Sequence, residues 1–432
     1  MGQRGIRSGR RSLLAFGLAA ALFALPACSS DANDEGDSKD SGTKVEVFSW
    51  WAGPGESEGL AAMIADFKKN NPGITFDNAA VAGGAGSNAK TVLATRLQNN
   101  NPPDSYQVHA GLELASDIKA GKVEDITYLY DQQGWKDKFP KGLIEAITVD
   151  GKIYSVPVNI HRSNLLWYNP KTLQAAGISA PPKTWAEFLT QATTLKAKNI
   201  TALSIGPGWT QKHLLENVLL GELGADKYTG LWDGKTDWKS SEVQAALTTF
   251  KNVLDVSDIK SAAGDWQPAL DKVVAGTAAY NVMGDWADSY LGRTKKLKFK
   301  TDYNVVATPG SEGVYNFLSD SFTLPKGAPH KAAAEKWLIE CGSVSGQDAF
   351  NPEKGSIPAR TDADKSKYTD YLATALTDWT SSSTKVVGSL AHGVVANNQF
   401  NGEIDTALGL FVQDKDVTKF ADSVSKAYGS TK

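Results

Sequence analysis

The stretch that decides the fold class is KVEVFSWWAGPGE, residues 44–56. Residues 45–50 have the apolar pattern of a buried strand, and residues 59–70 follow with the apolar spacing of a helix. A second strand is predicted at residues 74–81 and a second helix at residues 88–97. Strands that alternate with helices form βαβ units, so the sequence predicts an α/β protein with a mostly parallel sheet.

Three further segments support this organisation. Residues 153–158 have a strand-like pattern, and Thr184 with Glu187 three positions later forms a capping box that opens a helix. Cys341 lies in a stretch with helical spacing, where we expect it to be a buried small hydrophobic side chain. Since Cys28 is the only other cysteine, the mature chain is expected to hold no internal disulfide.

The first 27 residues predict a lipoprotein signal peptide. A basic segment with four arginines precedes an apolar run at residues 12–24, which is shorter than the ~20 residues of a membrane-spanning helix. The run ends in LPAC, whose Cys28 resembles the lipid-modified cysteine of bacterial lipoproteins. Residues 28–44 carry few apolar side chains and predict a flexible tether. The predicted location is therefore the extracytoplasmic face of the bacterial cell membrane, with the chain anchored through Cys28.

Composition and motifs argue against several functions. The net charge of −3 and a pI near 6.0 give no electrostatic basis for binding nucleic acid. GAGSNAKT, residues 84–91, is close to a phosphate-binding loop, but Ala89 replaces the second glycine that wraps the phosphates. The five histidines show no metal-ligand spacing and no nucleophile elbow occurs, so we predict no metal, no cofactor and no catalytic residue. A pair of carboxylates that acts as in glycosidases stays an open alternative.

Aromatic residues are the most informative feature of the composition. The chain has 12 tryptophans, and Trp50 and Trp51 directly follow the first predicted strand. Ligands of open α/β sheets bind outside the carboxyl ends of the strands. A pyranose packs its C–H groups on an indole ring, and its hydroxyls need hydrogen bonds from polar or charged side chains. The position of the tryptophan pair thus favours a sugar ligand.

Eight short motifs, in order along the chain, carry a family resemblance from about residue 44 to the C-terminus. They are WWAG at 50–53, GGAGSNAK at 83–90, PPDSYQVHAG at 102–111, HRSN at 161–164, GTAA at 276–279, MGDWA at 283–287, KGSIPAR at 354–360 and AHG at 391–393. Together they resemble the solute-binding proteins of bacterial carbohydrate ABC importers (extracellular solute-binding protein family 1). Within that family the chain is most similar to glucose/mannose-type monosaccharide binders.

The resemblance implies an α/β, two-lobed periplasmic-binding-protein-like fold of type II. In this fold crossover strands join two hinged lobes, which close on the ligand. We expect crossings near residues 156–160 and 319–324. The predicted boundaries are 45–157 for the first lobe, 158–320 for the main part of the second lobe, 321–365 for the return to the first lobe, and 366–432 for C-terminal helices that pack mainly on the second lobe.

The resemblance also implies a set of ligand-binding residues. Trp51 matches a stacking platform with Trp50 beside it, Trp266 matches the opposing aromatic, and Asp320 can accept from two hydroxyls. Gln107 and His109 are one residue apart on a predicted strand, so both point to the same side of the sheet. The full set is Trp50, Trp51, Glu56, Gln107, His109, His161, Trp266, Asp320, Lys354 and His392, with Asp285 and Trp286 as a second tier.

Glu56 is expected to accept a sugar hydroxyl, whereas Lys354 and His392 are expected to donate hydrogen bonds. His213 and His330 lack such a context and are predicted to be surface residues. The resulting function is a non-catalytic, monomeric binding component that hands a monosaccharide to a membrane permease with a cytoplasmic ATPase. A secreted glycosidase that uses Glu56 and Asp320, and a glycan adhesin, are the alternatives. Galactose, mannose, xylose or a disaccharide could replace glucose, because epimers differ by one hydroxyl orientation.

Overall fold

The computed structural model describes residues 42–83, 86–260 and 265–431. The signal peptide, Cys28 and the tether up to residue 41 lie outside the described residues, as do Gly84 and Ala85 of the phosphate-loop-like motif. Within the described part, no helix has the length and apolar character needed to cross a membrane.

Strands and helices of the described residues are numbered in chain order. The strands are β1 (Lys44–Phe48), β2 (Thr75–Asn78), β3 (Ser105–His109), β4 (Thr148–Val149), β5 (Lys152–Ile153), β6 (Ser155–Pro157), β7 (Asn159–Arg162), β8 (Leu165–Tyr168), β9 (Thr201–Ser204), β10 (Ser257–Asp258), β11 (Ala278–Val282), β12 (Asn304–Ala307), β13 (Val314–Leu318), β14 (Asp320–Thr323), β15 (Ile357–Pro358) and β16 (Lys385–Gly388). The helices are α1 (Ser57–Asn70), α2 (Ser87–Gln98), α3 (Ala115–Lys119), α4 (Thr127–Gln133), α5 (Lys141–Ala146), α6 (Pro170–Ala176), α7 (Trp185–Ala197), α8 (Trp209–Asp233), α9 (Ser241–Asp255), α10 (Gln267–Val274), α11 (Trp286–Ser289), α12 (Lys331–Gly342), α13 (Val344–Lys354), α14 (Tyr371–Thr380), α15 (Asn398–Asp414) and α16 (Val417–Ser430).

The first sheet has the strand order β2-β1-β3-β14-β6. Its first three strands pair in parallel and are joined by α1 and α2, which confirms the βαβ units predicted from the sequence. β14 comes from much later in the chain and runs antiparallel to both β3 and β6. Because β1 ends at Phe48, Trp50 and Trp51 lie in the loop at its carboxyl end.

The second sheet has the strand order β10-β9-β11-β8-β12. β9 pairs in parallel with β10 and β11, whereas β8 runs antiparallel to β11 and β12. α8 lies in the core of this half and is interrupted at Gly224, whose φ of 72° breaks the helical conformation. Two hydrophobic clusters correspond to the two lobes: the first surrounds the first sheet and also takes in Leu165 and Trp167 of β8, and the second lies against Leu166 and Tyr168 on the other face of β8.

A third sheet, of order β15-β7-β13-β16, lies where the chain passes between the other two. β6 leads into β7 across Val158, and β13 leads into β14 across Ser319. These two passages are hydrogen-bonded to each other, since Val158 N donates to Asp320 O at 2.9 Å. The passages fall inside the two regions in which crossings were expected.

The C-terminal third of the chain contributes to both cores. α12 holds Cys341, which is fully buried as predicted, and burial raises the pKa of its thiol. Tyr371 and Leu372 of α14 belong to the core around the first sheet, whereas α15 and α16 belong to the core around the second. The lobe boundaries given above remain a prediction.

Candidate functional site

A small cavity of about 30 Å³ lies beside the carboxyl ends of β1 and β3, next to the chain passages. It is lined by Trp50, Trp51, Glu56, His109, His161, Trp209, Trp266, Trp286, Leu318, Asp320, Lys354 and His392. Gln107 and Asp285 stand just behind this lining and bond to it. The fold thus brings together all twelve residues named from the sequence, although they are spread over more than 300 positions.

Asp320 is the best-connected polar group of the cavity. Its carboxylate accepts from Gln107 Nε2 at 2.9 Å and from Asn159 Nδ2 at 2.8 Å. The Nε2 atoms of His161 and His109 lie 3.4 and 3.6 Å from its two oxygens. Burial alone would raise the pKa of Asp320, but the surrounding donors, with His161 first, lower it well below its usual value. The carboxylate is therefore ionised and positioned to accept hydrogen bonds.

His161 lies between two carboxylates. Its Nδ1 bonds to Asp285, whose other oxygen accepts from Arg162 N at 2.9 Å. Burial lowers the pKa of His161, but Asp285 and Asp320 raise it more, so the net shift is upward. Asp285 therefore acts on the cavity through His161, which explains why it matches the motif without lining the cavity.

On the first-lobe side, Gln107 and His109 do point in the same direction, as their spacing predicts. Gln107 Oε1 also accepts from Trp50 N at 3.1 Å, which fixes the loop after β1 to β3. His109 Nδ1 lies 2.6 Å from Glu113, and Lys90 Nζ lies 2.9 Å from the same carboxylate. Burial raises the pKa of Glu113, but Lys90 and His109 together lower it to about 2. Lys90 of the phosphate-loop-like motif thus neutralises a carboxylate.

Trp51 and Trp50 differ in their surroundings. The Trp51 ring packs against Phe350 at 4.7 Å between centroids and is only 1% exposed. Trp50 is 7% exposed, with its ring 5.1 Å from that of His109. Trp51 is therefore packed more deeply into the core than a ring that only stacks on a ligand would need to be. The Trp50 ring is more exposed.

A cation stands between the aromatic rings. Lys354 Nζ is 5.9 Å from the centre of the Trp51 ring and 5.7 Å from that of Trp286. It also lies 3.5 Å from Glu56 Oε1. Burial raises the pKa of Glu56, with Lys354 opposing this shift. Lys354 and Glu56 thus offer a donor and an acceptor at the same end of the cavity.

Two lining residues were missed in the sequence. Trp209 opens α8 after the turn Gly206-Pro207-Gly208, and its ring lies 6.3 Å from Trp286 and 6.0 Å from His392. Trp209 follows β9 after a short Gly-Pro-Gly turn, and a tryptophan close to the end of a strand is the signal that singled out Trp50 and Trp51, so a similar signal was available. Leu318 ends β13 and has no comparable sequence signal.

Of the two histidines predicted to lie at the surface, His213 does not, and His330 is only partly exposed. His213 is not a surface residue: it is fully buried in α8, and its ring lies 5.5 Å from that of His392. Burial lowers its pKa. His330 is half-buried, because its backbone N–H and its Nδ1 both bond to Asp104, at 2.6 and 2.9 Å. Neither contact can be inferred from local sequence, since both partners are distant along the chain.

A larger cavity of about 600 Å³ adjoins the first one. His109, Trp209 and His392 line both cavities. Movement of these three rings would therefore join the two spaces. Several charged residues line the larger cavity, among them Lys212 and Asp405, whose Nζ and carboxylate pair at 2.9 Å.

The comparisons with known proteins agree on one protein family. The family model described as "Bacterial extracellular solute-binding protein" matches residues 53–348. An ABC transporter extracellular-binding protein of Pyrococcus horikoshii is 33% identical over 89% of this chain and 87% of its own length. A xylose/arabinose-binding protein of Haloferax volcanii is 30% identical over 87% of this chain and 82% of its own length.

Among solved structures, a chitin oligosaccharide binding protein matches with a TM-score of 0.78. The match covers 90% of this chain and 98% of that protein, at 20% sequence identity. At such low identity, the match is evidence for the fold alone. It confirms the predicted α/β, two-lobed solute-binding fold.

Proposed function

This chain belongs to the bacterial extracellular solute-binding protein family, and on that premise we propose that it captures a glucose-type monosaccharide between its two lobes. It is the sugar-binding component of an ABC importer that works outside the cytoplasm, with membrane permease subunits as partners. It is not an enzyme. Glucose is the first candidate ligand, and galactose, mannose and xylose are the alternatives to be tested.

One observation carries the proposal: indole rings and hydroxyl-binding groups converge on the same cavity. Trp50, Trp51, Trp266 and Trp286 supply apolar surfaces suited to the C–H groups of a sugar ring. Asp320 accepts, Lys354 donates, and His161 Nε2 is buried without a hydrogen-bond partner among the described residues, so a hydroxyl finds a polar or charged partner on either side. Hydrogen bonds of this kind offset the desolvation of a buried polyol.

We also propose that binding requires the lobes to open and close. Trp50 and His109 belong to the core or sheet of the first lobe, whereas Trp209 begins a helix of the second-lobe core. Binding pockets for small ligands typically measure ~300–1,000 Å³, which is at least ten times the ~30 Å³ present here. The arrangement therefore corresponds to a closed state that must open to admit a sugar.

The lipid anchor is a separate part of the proposal, and it rests on the sequence. Residues 1–27 serve as the signal peptide, Cys28 receives the lipid, and residues 28–44 tether a monomeric two-lobed body to the membrane. Replacing Cys28 by Ser should release the protein from the membrane into the soluble extracytoplasmic fraction. Retention of the variant in the membrane fraction would contradict the anchor.

The test of sugar binding compares two equally buried tryptophans. Trp266 lines the cavity, whereas Trp238 lies in the second-lobe core away from it, and each is 2% exposed. The two replacements by Phe should cost similar stability. Trp266→Phe should weaken glucose binding about tenfold, because it removes part of one apolar platform, and Trp238→Phe should leave it unchanged.

Isothermal titration calorimetry with glucose, galactose, mannose, xylose and a disaccharide measures the affinities. If the wild-type protein binds none of these sugars, the monosaccharide assignment is wrong. If both tryptophan variants lose affinity equally, the cavity is not the binding site.

A further inference from the structure

A buried carboxylate stands behind the cavity and takes no part in lining it. Glu216 of α8 is fully buried, and its two oxygens accept from Ser163 Oγ, Ser389 Oγ and the backbone N–H of Ala391, all at 2.9–3.0 Å. These donors come from the turn between β7 and β8 and from the loop after β16. Burying an ionised carboxylate is costly unless it is hydrogen-bonded in this way. Its position next to a ligand-lining histidine therefore calls for an explanation.

The hydroxyl hydrogen of Ser389 decides which ring nitrogen of His392 carries a hydrogen. Ser389 Oγ contacts both oxygens of Glu216 and also lies 2.8 Å from His392 Nδ1. A carboxylate that receives several donors can only accept, so the single hydroxyl hydrogen of Ser389 goes to Glu216. The Ser389 oxygen must then accept from His392, and Nδ1 of that imidazole carries the hydrogen.

His392 is also neutral. Burial lowers its pKa well below the usual value, and His109, His213 and Lys90 lower it further. A neutral imidazole with a hydrogen on Nδ1 has a lone pair on Nε2. Because Nδ1 is directed at Ser389, Nε2 is the ring nitrogen that remains available, and the His392 ring lines both cavities.

We propose that Glu216 is a positioning residue that, through Ser389, holds His392 in the Nδ1–H form, so that Nε2 accepts a hydrogen bond from a ligand hydroxyl. This inference rests on the proposed function for the identity of the ligand. It reverses the donor role that the family resemblance implies for His392. It also makes the site select a group that donates, such as a sugar hydroxyl, over one that can only accept, such as a carboxylate.

A metal ion is the competing explanation for this cluster. One ligand atom each from His213, Glu216 and His392 lie within 4.8 Å of one another. However, the Glu216 oxygens already accept from three donors, and His392 Nδ1 is bonded to Ser389. His213 Nε2 is 2.8 Å from the carbonyl oxygen of Ser163, so the two nitrogens of this cluster without a bonded partner among the described residues are His213 Nδ1 and His392 Nε2, and a metal that also used Glu216 would compete with its donors. Such a metal would have to displace the network that the proposal uses.

The first experiment needs no ligand. Two-bond ¹H–¹⁵N correlation spectra of the histidine rings distinguish the two neutral forms, and the His392 signals are those lost in His392→Gln. We expect the Nδ1–H form in the wild-type protein. In Glu216→Gln, an amide N–H meets Ser389 Oγ and frees its hydrogen for His392, so the population should shift toward the Nε2–H form.

The second experiment measures affinity for the sugar that binds the wild-type protein. Glu216→Gln should lower it about tenfold or more, since a buried acceptor becomes a donor. Ser389→Ala, which removes the bridge but keeps the carboxylate, should have a similar effect and carries the test if Glu216→Gln fails to fold. Glu340→Gln is the control, and its affinity for the sugar should be unchanged. Glu340 is a buried carboxylate on α12, in another core and far from His392 in the sequence.

The outcomes separate this inference from the proposed function. An Nε2–H form in the wild-type protein would overturn it, as would loss of affinity in both variants without a change of ring form. Absence of sugar binding by the wild-type protein would refute the proposed function, while the ring spectra would still decide the tautomer.

Discussion

Glu340 is a buried carboxyl group in an unfavourable place. Asn70 donates to its Oε2 at 3.2 Å, whereas its Oε1 is buried without a partner. Burial, together with the nearby Asp66, raises its pKa from 4.5 to about 7. In the unfolded chain the group loses its proton near its ordinary pKa, so the folded state binds more protons between about pH 4.5 and 7. Stability therefore falls as the pH rises through this range.

Glu340→Gln should remove this loss. We expect its melting temperature to exceed that of the wild-type protein by about 2 °C at pH 8 and to equal it near pH 4.5. Differential scanning calorimetry at both pH values measures the difference, with the exposed Glu403→Gln as the control. An equal shift at both pH values would contradict the assignment to this carboxyl group.

At the scale of residues, the side chains named from the sequence lie together in the fold because they stand in recognisable motifs, and their role in binding stays a prediction. The spacing of Gln107 and His109 correctly predicts a shared direction, since alternation along a strand is a local property. Glu216 and Ser389 could not be found in this way. Their importance comes from contacts between segments 173 positions apart, which no local pattern encodes.

At the scale of elements, α7 provides a measurable N-terminal cap. Thr184 Oγ1 accepts from Glu187 N at 3.1 Å, as the capping box predicts. The return contact differs, because the Glu187 carboxylate accepts from Lys183 N at 2.7 Å rather than from Thr184 N. Thr184→Ala should cost about 1 kcal/mol of stability and leave sugar binding unchanged. Thr190→Ala, which removes a hydroxyl bonded within the same helix, is the control for chemical denaturation.

The elements of the first lobe could be predicted because their periodicity is local. The first two predicted strands and helices agree with β1, α1, β2 and α2 to within a few residues at each end. The third sheet could not be predicted. Its strands have two to five residues and pair across long separations, as Val314 does with Lys385 and Phe317 with Arg162. Tertiary contacts decide such short strands.

At the scale of the whole molecule, Gly111 marks a close contact between distant segments. Its φ is +128°, and an added Cβ would lie 2.6 Å from the Cα and the oxygen of Val394. Leu112 N donates to Val394 O at 3.2 Å in the same contact. Val394 belongs to the first hydrophobic cluster but lies between β16 and α15, and α15 packs in the second cluster, so a side chain at position 111 would obstruct this contact and, if the proposed closure uses it, closure as well.

Gly111→Ala should weaken sugar binding about tenfold by opposing closure. Gly224→Ala is the matched control, because Gly224 also has a positive φ, of +72°, with an extended ψ of 168°, but an added Cβ would meet no atom within 4 Å. Both variants carry backbone strain, and only the first carries the obstruction. Calorimetric titration compares their affinities, and equal affinities would contradict a role for this contact in closure.

The two-lobed architecture followed from the resemblance and not from the pattern of apolar residues. Local periodicity could not show that β14 returns to the first sheet or that α14 and α15 belong to different cores. These arrangements depend on long-range pairing, which is why the exact lobe boundaries stay a prediction.

The small cavity has a kinetic consequence. A space of about 30 Å³ holds roughly one water molecule, so a sugar cannot enter while the rings are in these positions. Capture would then wait for an opening event, and the fraction of time spent open would set the apparent affinity. In stopped-flow mixing, the observed rate constant should level off at high sugar concentration, at the rate of opening. A rate that keeps rising linearly would mean that the empty protein in solution rests open.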